Sequence, residues 1–314
     1  MSYVPVSTIG RASAATLLWR HRGVRHVTAV AKATFELVPE ARMTPVDPVP
    51  IAFGEQDDPY GVGLAVAGDV APYLHHADVT VVGHVELPPH FPSDEVHVEL
   101  ALARGPEVLL DRQLVLDGSA RVGPEQRHVH VQGMGPLSRH WPVRAALLGA
   151  HDPARLLPPD MDIPEDLDWS FFQAAPHEQR VERPSGDEWL VLGGFFARRP
   201  RLRTALPGAR GVARLYRRID PEPRAGEPIA MHMDMLHVDV DAHCCSIVWR
   251  GHAVLGDESP ADLHVVAGVE MPGQLLVWED PFSAEARRAP PPSRPWEPSG
   301  EELGETVMLA TEER

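Results

Sequence analysis

The sequence predicts a mainly β fold, in which antiparallel β-sandwich-like lobes are bridged by short helices around residues 139–176. Three observations predict it. Apolar residues recur at every second position in many short segments, turn residues separate those segments, and patterns typical of helices are confined to the middle of the chain. Alternation with a period of two is typical of strands with one buried face, and short connections favour antiparallel pairing.

The first alternating segment runs from Val27 to Leu37, where every odd-numbered residue is apolar. Polar residues such as Thr28 and Lys32 lie between them, so the pattern predicts a strand that buries one face. The same argument predicts strands in seven further segments, which are residues 79–87, 96–102, 127–132, 236–240, 246–253, 263–269 and 274–278.

Helices are predicted only in the bridge between the lobes. Asp152 followed by proline, and Asp168 before an aromatic run, are typical N-cap residues that accept a hydrogen bond from the first turn. Proline residues end two of these segments, because proline cannot donate to the preceding turn. The three predicted helices cover residues 142–150, 153–157 and 169–175.

The third predicted helix carries an unusual concentration of aromatic residues. Trp169, Phe171 and Phe172 fall within four residues of a chain that is only 6% aromatic. On a short helix they would form one apolar knob, and we expect Trp169 and Phe172 to be largely buried as a plug between two sheets. The alternative is that the knob is an exposed contact for a partner.

The charge of the chain limits the classes of partner. A net charge of −16 over 314 residues repels phosphate backbones, so nucleic-acid binding is not expected, whereas a basic protein face would be attracted. The sequence shows neither an apolar run long enough to span a bilayer nor a segment typical of a signal peptide. Cys244 and Cys245 are neighbours that point to opposite faces of a strand, so we expect reduced thiols in a cytoplasmic protein.

The strongest candidate for metal binding is a run of histidine and aspartate between residues 232 and 245. His237, Asp239 and Asp241 share one face of a predicted strand, and imidazole and carboxylate are suitable ligands for zinc or manganese. Successive side chains on that face lie roughly 6–7 Å apart, however, so one ion would need a further ligand from elsewhere. The more ordinary interpretation is a solvated sheet face, and we expect no bound metal and no cofactor.

Candidates for nucleophilic or acid–base catalysis are weak. Cys244 or Cys245 could act with His243 or His252, but a cysteine on a strand is usually packed as a small hydrophobe. The acidic residues 165–168 are explained by the positive end of the helix that they precede. We therefore assign no catalytic residue.

The composition divides the chain into three parts. We predict an N-terminal β lobe at residues 1–135, a helical bridge with a C-terminal β lobe at 136–282, and a flexible tail at 283–314 that is rich in proline and acidic residues. The tail is either an inert extension or a docking segment for a partner or a sheet edge. Its apolar motif consists of Trp296, Val307, Met308 and Leu309.

Several blocks of the sequence occur in a recognisable order. They are residues 30–35, 78–84, 133–142, 164–180 and 248–251, with Gly186-Asp187-Glu188 after the fourth block. In this order they resemble a family of domain-of-unknown-function proteins that are encoded beside type VI secretion spike and effector genes. The resemblance spans roughly residues 25 to 255 and departs from the family at Met134, where an aromatic residue is expected.

The resemblance implies an accessory, adaptor-like protein without enzymatic activity, whose partners are a spike or tip protein and a cargo effector. Two other functions stay open, a metal-dependent hydrolase that uses His237, Asp239 and Asp241, and a structural or carbohydrate-binding β-sandwich, against which the low aromatic content argues. The resemblance also implies a structural or interaction signature made of Arg139, His140, Trp141, Pro142, Asp168, Trp169, Phe171, Phe172, Ala175, Pro176, Gln179, Gly186, Asp187 and Glu188.

Overall fold

The computed structural model describes residues 3–59, 61, 63–91, 93–119, 121–122, 127–157, 160–218 and 226–283. Strands occupy far more of this part of the chain than helices, which confirms the predicted mainly β fold. In chain order the strands are β1 (Val6–Ile9), β2 (Ser13–His21), β3 (Val24–Glu36), β4 (Thr44–Pro45), β5 (Gln56–Asp57), β6 (Leu64–Val66), β7 (Ala77–Val82), β8 (His84–Glu86), β9 (Glu95–Arg104), β10 (Glu107–Asp117), β11 (Arg121–Val122), β12 (His128–His130), β13 (Asp160–Ile163), β14 (Arg180–Val181), β15 (Trp189–Phe196), β16 (Arg199–Ala205), β17 (Arg210–Arg217), β18 (Glu227–Ile229), β19 (His232–Asp239), β20 (Cys244–Leu255) and β21 (Leu263–Glu270). The helices are the α-helix α1 (Pro142–Ala146) and 3-10 helices at Pro153–Leu156, Trp169–Phe172, His177–Gln179 and Pro260–Asp262.

A large mixed sheet forms the centre of the fold. Its strands follow the order β13-β2-β3-β20-β19-β7-β14, and β4 pairs with one end of β3. Its longest pairing is antiparallel, between β3 and β20. β7 runs parallel to β19 and β13 runs parallel to β2, so the sheet combines both kinds of pairing.

The first predicted strand is found as β3, but the expectation of one solvated face is wrong. The odd-numbered residues of β3 pack into two clusters, one shared with β9 and β15 and the other with β17 and β21. On the opposite face Val30 packs against Ile51 and Phe53. Both faces are buried because other sheets cover one of them and the irregular segment 47–75 covers the other.

A buried ionic cluster holds this covering segment on the central sheet. Lys32 Nζ donates to a carboxylate oxygen of Asp69 at 2.8 Å, and Arg250 donates through Nε and Nη2 to the backbone oxygen of Asp69 at 2.9 and 2.6 Å. Arg250 also forms an ion pair with Asp234, whose pKa burial raises to about 6. Lys32 and Arg250 belong to the sequence blocks 30–35 and 248–251. These polar residues of the two blocks therefore stabilise the contact between the covering segment and the central sheet.

Two four-stranded sheets, β10-β9-β15-β16 and β1-β21-β17-β18, flank the central sheet. Smaller sheets are formed by β11-β12-β8 and by β5-β6. Strands from both sides of residue 135 pair directly, since β9 pairs with β15 and β7 pairs with β19. The boundary predicted at residue 135 therefore lies between segments that share hydrogen-bonded sheets.

The predicted helices exist but are shorter than expected. The segment 142–150 is helical only over Pro142–Ala146 and continues as turns, and the other two are single turns of 3-10 helix. Both predicted N-caps are confirmed. A carboxylate oxygen of Asp152 accepts from Ala154 N–H, and one of Asp168 accepts from Ser170 N–H, each at 2.9 Å.

One predicted strand is wrong and another is interrupted. Residues 274–278 form no strand, and the side chains of Leu275 and Val277 are 92% and 76% exposed. This alternating segment pairs with no strand among the described residues, and Trp278 packs beneath the guanidinium of Arg214. Residues 79–87 are divided between β7 and β8, because Gly83 adopts a φ of 101° at the junction.

Three further expectations concern the C-terminal tail, the two thiols and membrane-spanning segments. Apart from Ser283, the predicted tail and its motif of Trp296, Val307, Met308 and Leu309 lie outside the described residues. Cys244 is half-buried and Cys245 is buried, and both are free thiols. Among the described residues, none of the helices has the length and apolar character needed to cross a membrane.

Candidate interaction site at Trp141

Three of the sequence blocks that carry the resemblance meet at one place in the structure. Val81 N–H donates to Met134 O at 3.0 Å, and Leu137 N–H donates to Ala174 O at 2.8 Å. Blocks 78–84, 133–142 and 164–180 therefore form one connected unit, although long stretches of chain separate them in the sequence.

Asp78 fixes the end of the aromatic segment on β7. Its buried carboxylate accepts hydrogen bonds from the backbone N–H groups of Ala174 and Ala175, at 2.6 and 3.1 Å, and from Gln173 Nε2 at 3.1 Å. Burial raises the pKa of Asp78, and these donors offset part of that rise. The carboxylate therefore acts as a structural acceptor for three donors of one segment.

Gln179 connects the same three blocks from the other side. Its side chain is fully buried, and its Nε2 donates to Val79 O at 2.7 Å and to Met134 O at 2.8 Å. Met134, at the position where the resemblance predicts an aromatic residue, is itself fully buried in the main core. Signature residue Gln179 is thus a packing and hydrogen-bonding residue of the interior.

Glu55, from the covering segment, holds the chain around residues 137–144. One oxygen of its carboxylate accepts from Arg139 N–H at 2.7 Å and from Arg144 Nη1 at 3.2 Å, and the other accepts from Ser138 Oγ at 2.9 Å. Arg144 is buried and also donates to Leu137 O and Phe171 O. Burial lowers the pKa of Arg144 to about 10, and the Glu55 carboxylate works against that decrease.

A groove of about 550 Å³ lies beside this fixed segment. We call it the Trp141 groove. It is lined by Asp57, Gly61, Gly63, Leu64, Val82, His130, Val131, Gln132, Gly133, Gly135, Pro136, Leu137, Ser138 and Trp141. Aliphatic side chains, glycine and proline make up most of this lining, so the groove is suited to an apolar side chain or a short apolar segment of a partner.

Trp141 stands at the surface of this groove with 54% of its side chain exposed. It is the N-cap residue of α1, but its side chain makes no capping hydrogen bond. Val143, in the first turn of the same helix, is 70% exposed. Two large apolar side chains therefore face solvent on a segment whose backbone is held by buried ionic contacts.

The aromatic knob is mostly core, as the sequence predicts for Phe172. Phe171 and Phe172 are 3% and 9% exposed, whereas Trp169 is only half-buried, which corrects the expectation for that residue. The Trp169 ring stacks on Tyr73 with centroids 4.7 Å apart and meets the edge of Trp19 at 5.8 Å. Trp169 therefore covers the outer side of the knob.

The third part of the signature, residues 186–188, forms a turn around a buried carboxylate. Glu188 has no exposed surface and accepts from Ser185 N–H and Gly186 N–H, both at 2.8 Å, and from Arg104 Nη2 at 2.5 Å. Burial alone would raise the pKa of Glu188, but the hydrogen bonds from Ser185 and Arg104 outweigh it and hold the pKa below its usual value. Gly186 has a φ of 99°, which favours glycine at this turn.

The signature therefore divides between the interior and the surface. The buried members are Phe171, Phe172, Ala175, Pro176, Gln179, Gly186 and Glu188. The half-buried members are Arg139 and Trp169, and the exposed members are His140, Trp141, Pro142, Asp168 and Asp187. Of the signature residues, Trp141 alone lines the groove.

Arg180 ends the sequence block 164–180 and has two acidic residues nearby in the sequence, Asp166 and Asp187. Arg180 pairs with neither Asp166 nor Asp187, and its Nε donates to Ala175 O at 3.0 Å. Asp166 lies 3.1 Å from a ring nitrogen of His151, and Asp187 lies 3.7 Å from Arg104. Glu55 was missed because no local pattern marks a lone glutamate between turn residues.

The residues of the metal hypothesis have three different partners. His237 Nδ1 lies 2.9 Å from Thr80 Oγ1, Asp239 accepts from Ala242 N–H at 2.9 Å, and Asp241 lies 2.8 Å from His84 Nδ1. Across the described part of the chain, no three histidine, cysteine, aspartate or glutamate side chains are grouped closely enough to hold one ion.

The cysteines are not in environments that favour thiolates. Burial raises the pKa of Cys244 to about 11, and burial raises that of Cys245 further. His243 and His252, the candidate bases for these thiols, pack elsewhere, since His243 stacks on Phe196 and His252 joins the cluster of Tyr73 and Trp19.

No curated protein and no solved structure matches the chain significantly. Two overlapping segments, residues 22–119 and 106–250, match the model of a family described as an uncharacterized protein conserved in bacteria (DUF2169). These segments include the buried ionic cluster, the connected sequence blocks and Trp141. The chain therefore belongs to this family of uncharacterized bacterial proteins.

Proposed function

We propose that this protein is a non-enzymatic protein-binding accessory protein, and that the Trp141 groove is its principal contact with a partner. The exposure of Trp141 carries this proposal. A large, rigid aromatic side chain beside a pocket offers contact area at a low entropy cost, and tryptophan is enriched among the residues that dominate binding energy. The buried contacts of Glu55 and Arg144 hold the groove in place before a partner arrives, which reduces the cost of binding.

We propose that the partners belong to a type VI secretion system. This part of the proposal rests on the resemblance of the ordered sequence blocks, and three of those blocks form the wall of the Trp141 groove or support it. The protein would hold an effector or a tip protein in the cytoplasm and help to load it onto the secretion spike. Its charge of −16 would favour a partner with a basic face.

The buried carboxylates Asp78, Glu188 and Asp234 all have structural partners, which supports a binding role over an enzymatic one. Asp78 and Glu188 each satisfy backbone donors, and Asp234 neutralises Arg250 inside the core. A general base or nucleophile needs access to a substrate, and these carboxylates have almost no exposed surface.

The proposal can be tested by co-purification. The tagged protein would be produced with the spike protein and the effector of the same bacterium, and capture of each would be compared for the wild type, Trp141→Ala and Tyr3→Ala. Tyr3 is a matched control because it is an exposed aromatic residue, 44% exposed, that does not line the groove.

We expect Trp141→Ala to weaken capture by about tenfold or more, the loss typical of a central aromatic contact, and to leave the melting temperature unchanged. Tyr3→Ala should capture as the wild type does. Undiminished capture by Trp141→Ala would remove the groove from the proposal. Failure of the wild type to bind either protein would remove the assignment to type VI secretion.

A further inference from the structure

The sheet that contains β10 ends in an unusually long edge strand. Most other sheet edges in the described part of the chain are short, since β13 and β1 have four residues, β18 has three and β14 has two, and the exception is β16 with seven. β10 has eleven residues and pairs on one side only, with β9. Natural proteins shorten or cover their edge strands because an open edge pairs readily with another chain.

The opposite edge of the same sheet shows what such a cover looks like. There, Glu40 N–H donates to Arg203 O at 2.7 Å and Met43 N–H donates to Ala205 O at 2.9 Å, so segment 40–43 covers the end of β16. β10 has no such cover among the described residues, where its backbone hydrogen bonds as a strand are all to β9.

The register identifies which backbone groups of β10 point outward. Gly118 N–H donates to Asp94 O at 2.6 Å, and the pairs of Leu116 with Val96 and Leu114 with Val98 continue the same hydrogen-bonded rows. The intervening residues therefore present their N–H and C=O groups to the open side. These residues are Asp111, Gln113, Val115 and Asp117, and all four are exposed.

The two faces of the sheet at this edge carry different side chains, acidic on one face and apolar on the other. The outward face of β10 and β9 carries the exposed acids Asp111 and Asp117 on the edge strand and Glu95 on its neighbour, whereas the half-buried Glu99 is paired with Arg201 of β16 at 3.0 Å. The inner side has half-buried Leu109 and Leu114, which pack against the main core and leave part of their surface uncovered. A strand added at this edge would place alternate side chains against each of these two surfaces.

We propose that β10 is a strand-addition site for an extended segment of a partner protein in which basic and apolar residues alternate. The backbone of that segment would bond to the outward groups of residues 111–117, its basic side chains would face the acidic surface, and its apolar side chains would cover Leu109 and Leu114. A second copy of this chain would bring the same acidic strand to the edge. Residues 301–314 of the chain are also acidic, with five glutamates and one arginine, so a separate basic partner fits the charge better.

The test uses the full-length protein and a labelled peptide of four Lys-Val repeats, acetylated and amidated at its ends, with binding followed by fluorescence anisotropy. A Glu-Val peptide of the same length tests the charge, and a Lys-Val peptide N-methylated at alternate residues tests the backbone bonds. The protein variants are Gln113→Pro, which removes one outward N–H, and Asp111→Lys with Asp117→Lys. Asp47→Lys with Asp257→Lys is the matched control, because these are exposed acids outside this sheet.

We expect the wild type to bind the Lys-Val peptide saturably. Gln113→Pro should bind the peptide about tenfold more weakly, the loss expected when one well-formed hydrogen bond is removed and the adjacent ones are disturbed. The N-methylated peptide should bind the wild type at least as weakly as the Lys-Val peptide binds Gln113→Pro. The edge double variant should lose the Lys-Val peptide and gain the Glu-Val peptide, whereas the control double variant and Trp141→Ala should behave as the wild type. The last result separates this site from the Trp141 groove.

Three results of the binding measurements would overturn the proposal. They are the absence of saturable binding by the wild type, equal binding of the Lys-Val and Glu-Val peptides, and binding that Gln113→Pro leaves unchanged. A wild type that dimerises in light-scattering measurements while Gln113→Pro stays monomeric would also overturn it, because the occupant of the edge would then be a second copy.

Discussion

At the scale of single residues, buried carboxylates hold together the sequence blocks that carry the family resemblance. Asp78 gathers three donors from residues 173–175, and Glu188 gathers the turn at 185–186 with Arg104. A buried carboxylate that satisfies backbone N–H groups stabilises one chain path over others, because each of those groups would otherwise lose its hydrogen bond.

The two aromatic positions of the knob should differ in their effect on stability. Phe171→Ala removes a ring that is 3% exposed, and we expect it to lower the free energy of unfolding by about 3–5 kcal/mol. Trp169→Ala should cost less because Trp169 is half-buried, and the exposed control Val143→Ala should stay within about 0.5 kcal/mol of the wild type. Urea unfolding measures all three values, and a larger cost for Trp169→Ala than for Phe171→Ala would contradict the described packing.

His237 should make the fold sensitive to acid. Burial, followed by the charge of Lys32, lowers the pKa of His237 from 6.5 to about 4. Between these two pH values the unfolded chain binds more protons than the folded chain. The contribution of neutral His237 to the free energy of unfolding is therefore complete above pH 6.5 and is lost as the pH falls toward 4. From pH 7 to pH 5 the loss amounts to about 2 kcal/mol at most.

The comparison of His237→Gln with the wild type isolates this effect. Glutamine can keep a hydrogen bond to Thr80 but does not titrate, so the variant should lose less stability than the wild type between pH 7 and pH 5. His97→Gln is the control, because the His97 side chain is 75% exposed. Identical pH profiles for the wild type and His237→Gln, measured by urea unfolding, would show that the pKa of His237 is not lowered in the folded protein.

At the scale of elements, irregular segments are as important as strands. The segment 47–75 covers one face of the central sheet, and Glu55 within it holds residues 138–144. The 3-10 turn at Trp169–Phe172 delivers the aromatic knob, and Asp78 holds the residues that follow it. The groove at Trp141 therefore depends on contacts made by these loops as well as on the strands β6, β7 and β12 that line part of it.

Glu55→Gln should weaken this arrangement. The substitution removes the carboxylate charge that pairs with the buried Arg144 guanidinium, and removal of one partner of a buried ion pair typically costs about 3 kcal/mol or more. Asp47→Asn, in the same covering segment but with a 97% exposed side chain, should change the unfolding free energy by less than about 0.5 kcal/mol. Equal effects of the two substitutions in urea unfolding would mean that Glu55 does not support the groove.

Alternating sequence patterns predicted where most strands lie. They failed to predict burial or pairing that depends on a segment distant in the sequence. Alternation identified β3 and β9 but could not reveal that segment 47–75 covers the even-numbered face of β3. The same alternation at residues 274–278 produced a wrong strand, because pairing requires a neighbour that the pattern does not encode. The N-caps at Asp152 and Asp168 were predictable because donor and acceptor lie two residues apart.

At the scale of the whole molecule, strands from distant parts of the sequence share sheets around one large core. β3 from the N-terminal third and β20 from the C-terminal third are partners over the length of the central sheet. The exposed features, which are the Trp141 groove and the β10 edge, lie outside this centre. Such an arrangement separates the residues that stabilise the fold from those available to partners.

The tail should contribute little to this core. Residues 283–314 are rich in proline and acidic residues and cannot bury enough apolar area to offset the entropy of ordering them. Truncation after Phe282, which keeps the contacts of that ring with His264 and Arg218, should leave the melting temperature nearly unchanged while weakening capture of the spike or effector. A large drop in melting temperature would show that the tail is an integral part of the fold, and unchanged capture would show that it has no part in binding.

The most direct test of a partner site at Trp141 is hydrogen–deuterium exchange of the full-length protein with and without its purified partner, the spike protein or effector that it captures. We predict slower exchange in segments 55–64 and 130–144, which line and support the Trp141 groove, and no such change when the partner is added to Trp141→Ala. Slower exchange confined to other segments, with 130–144 unaffected in the wild type, would contradict the account.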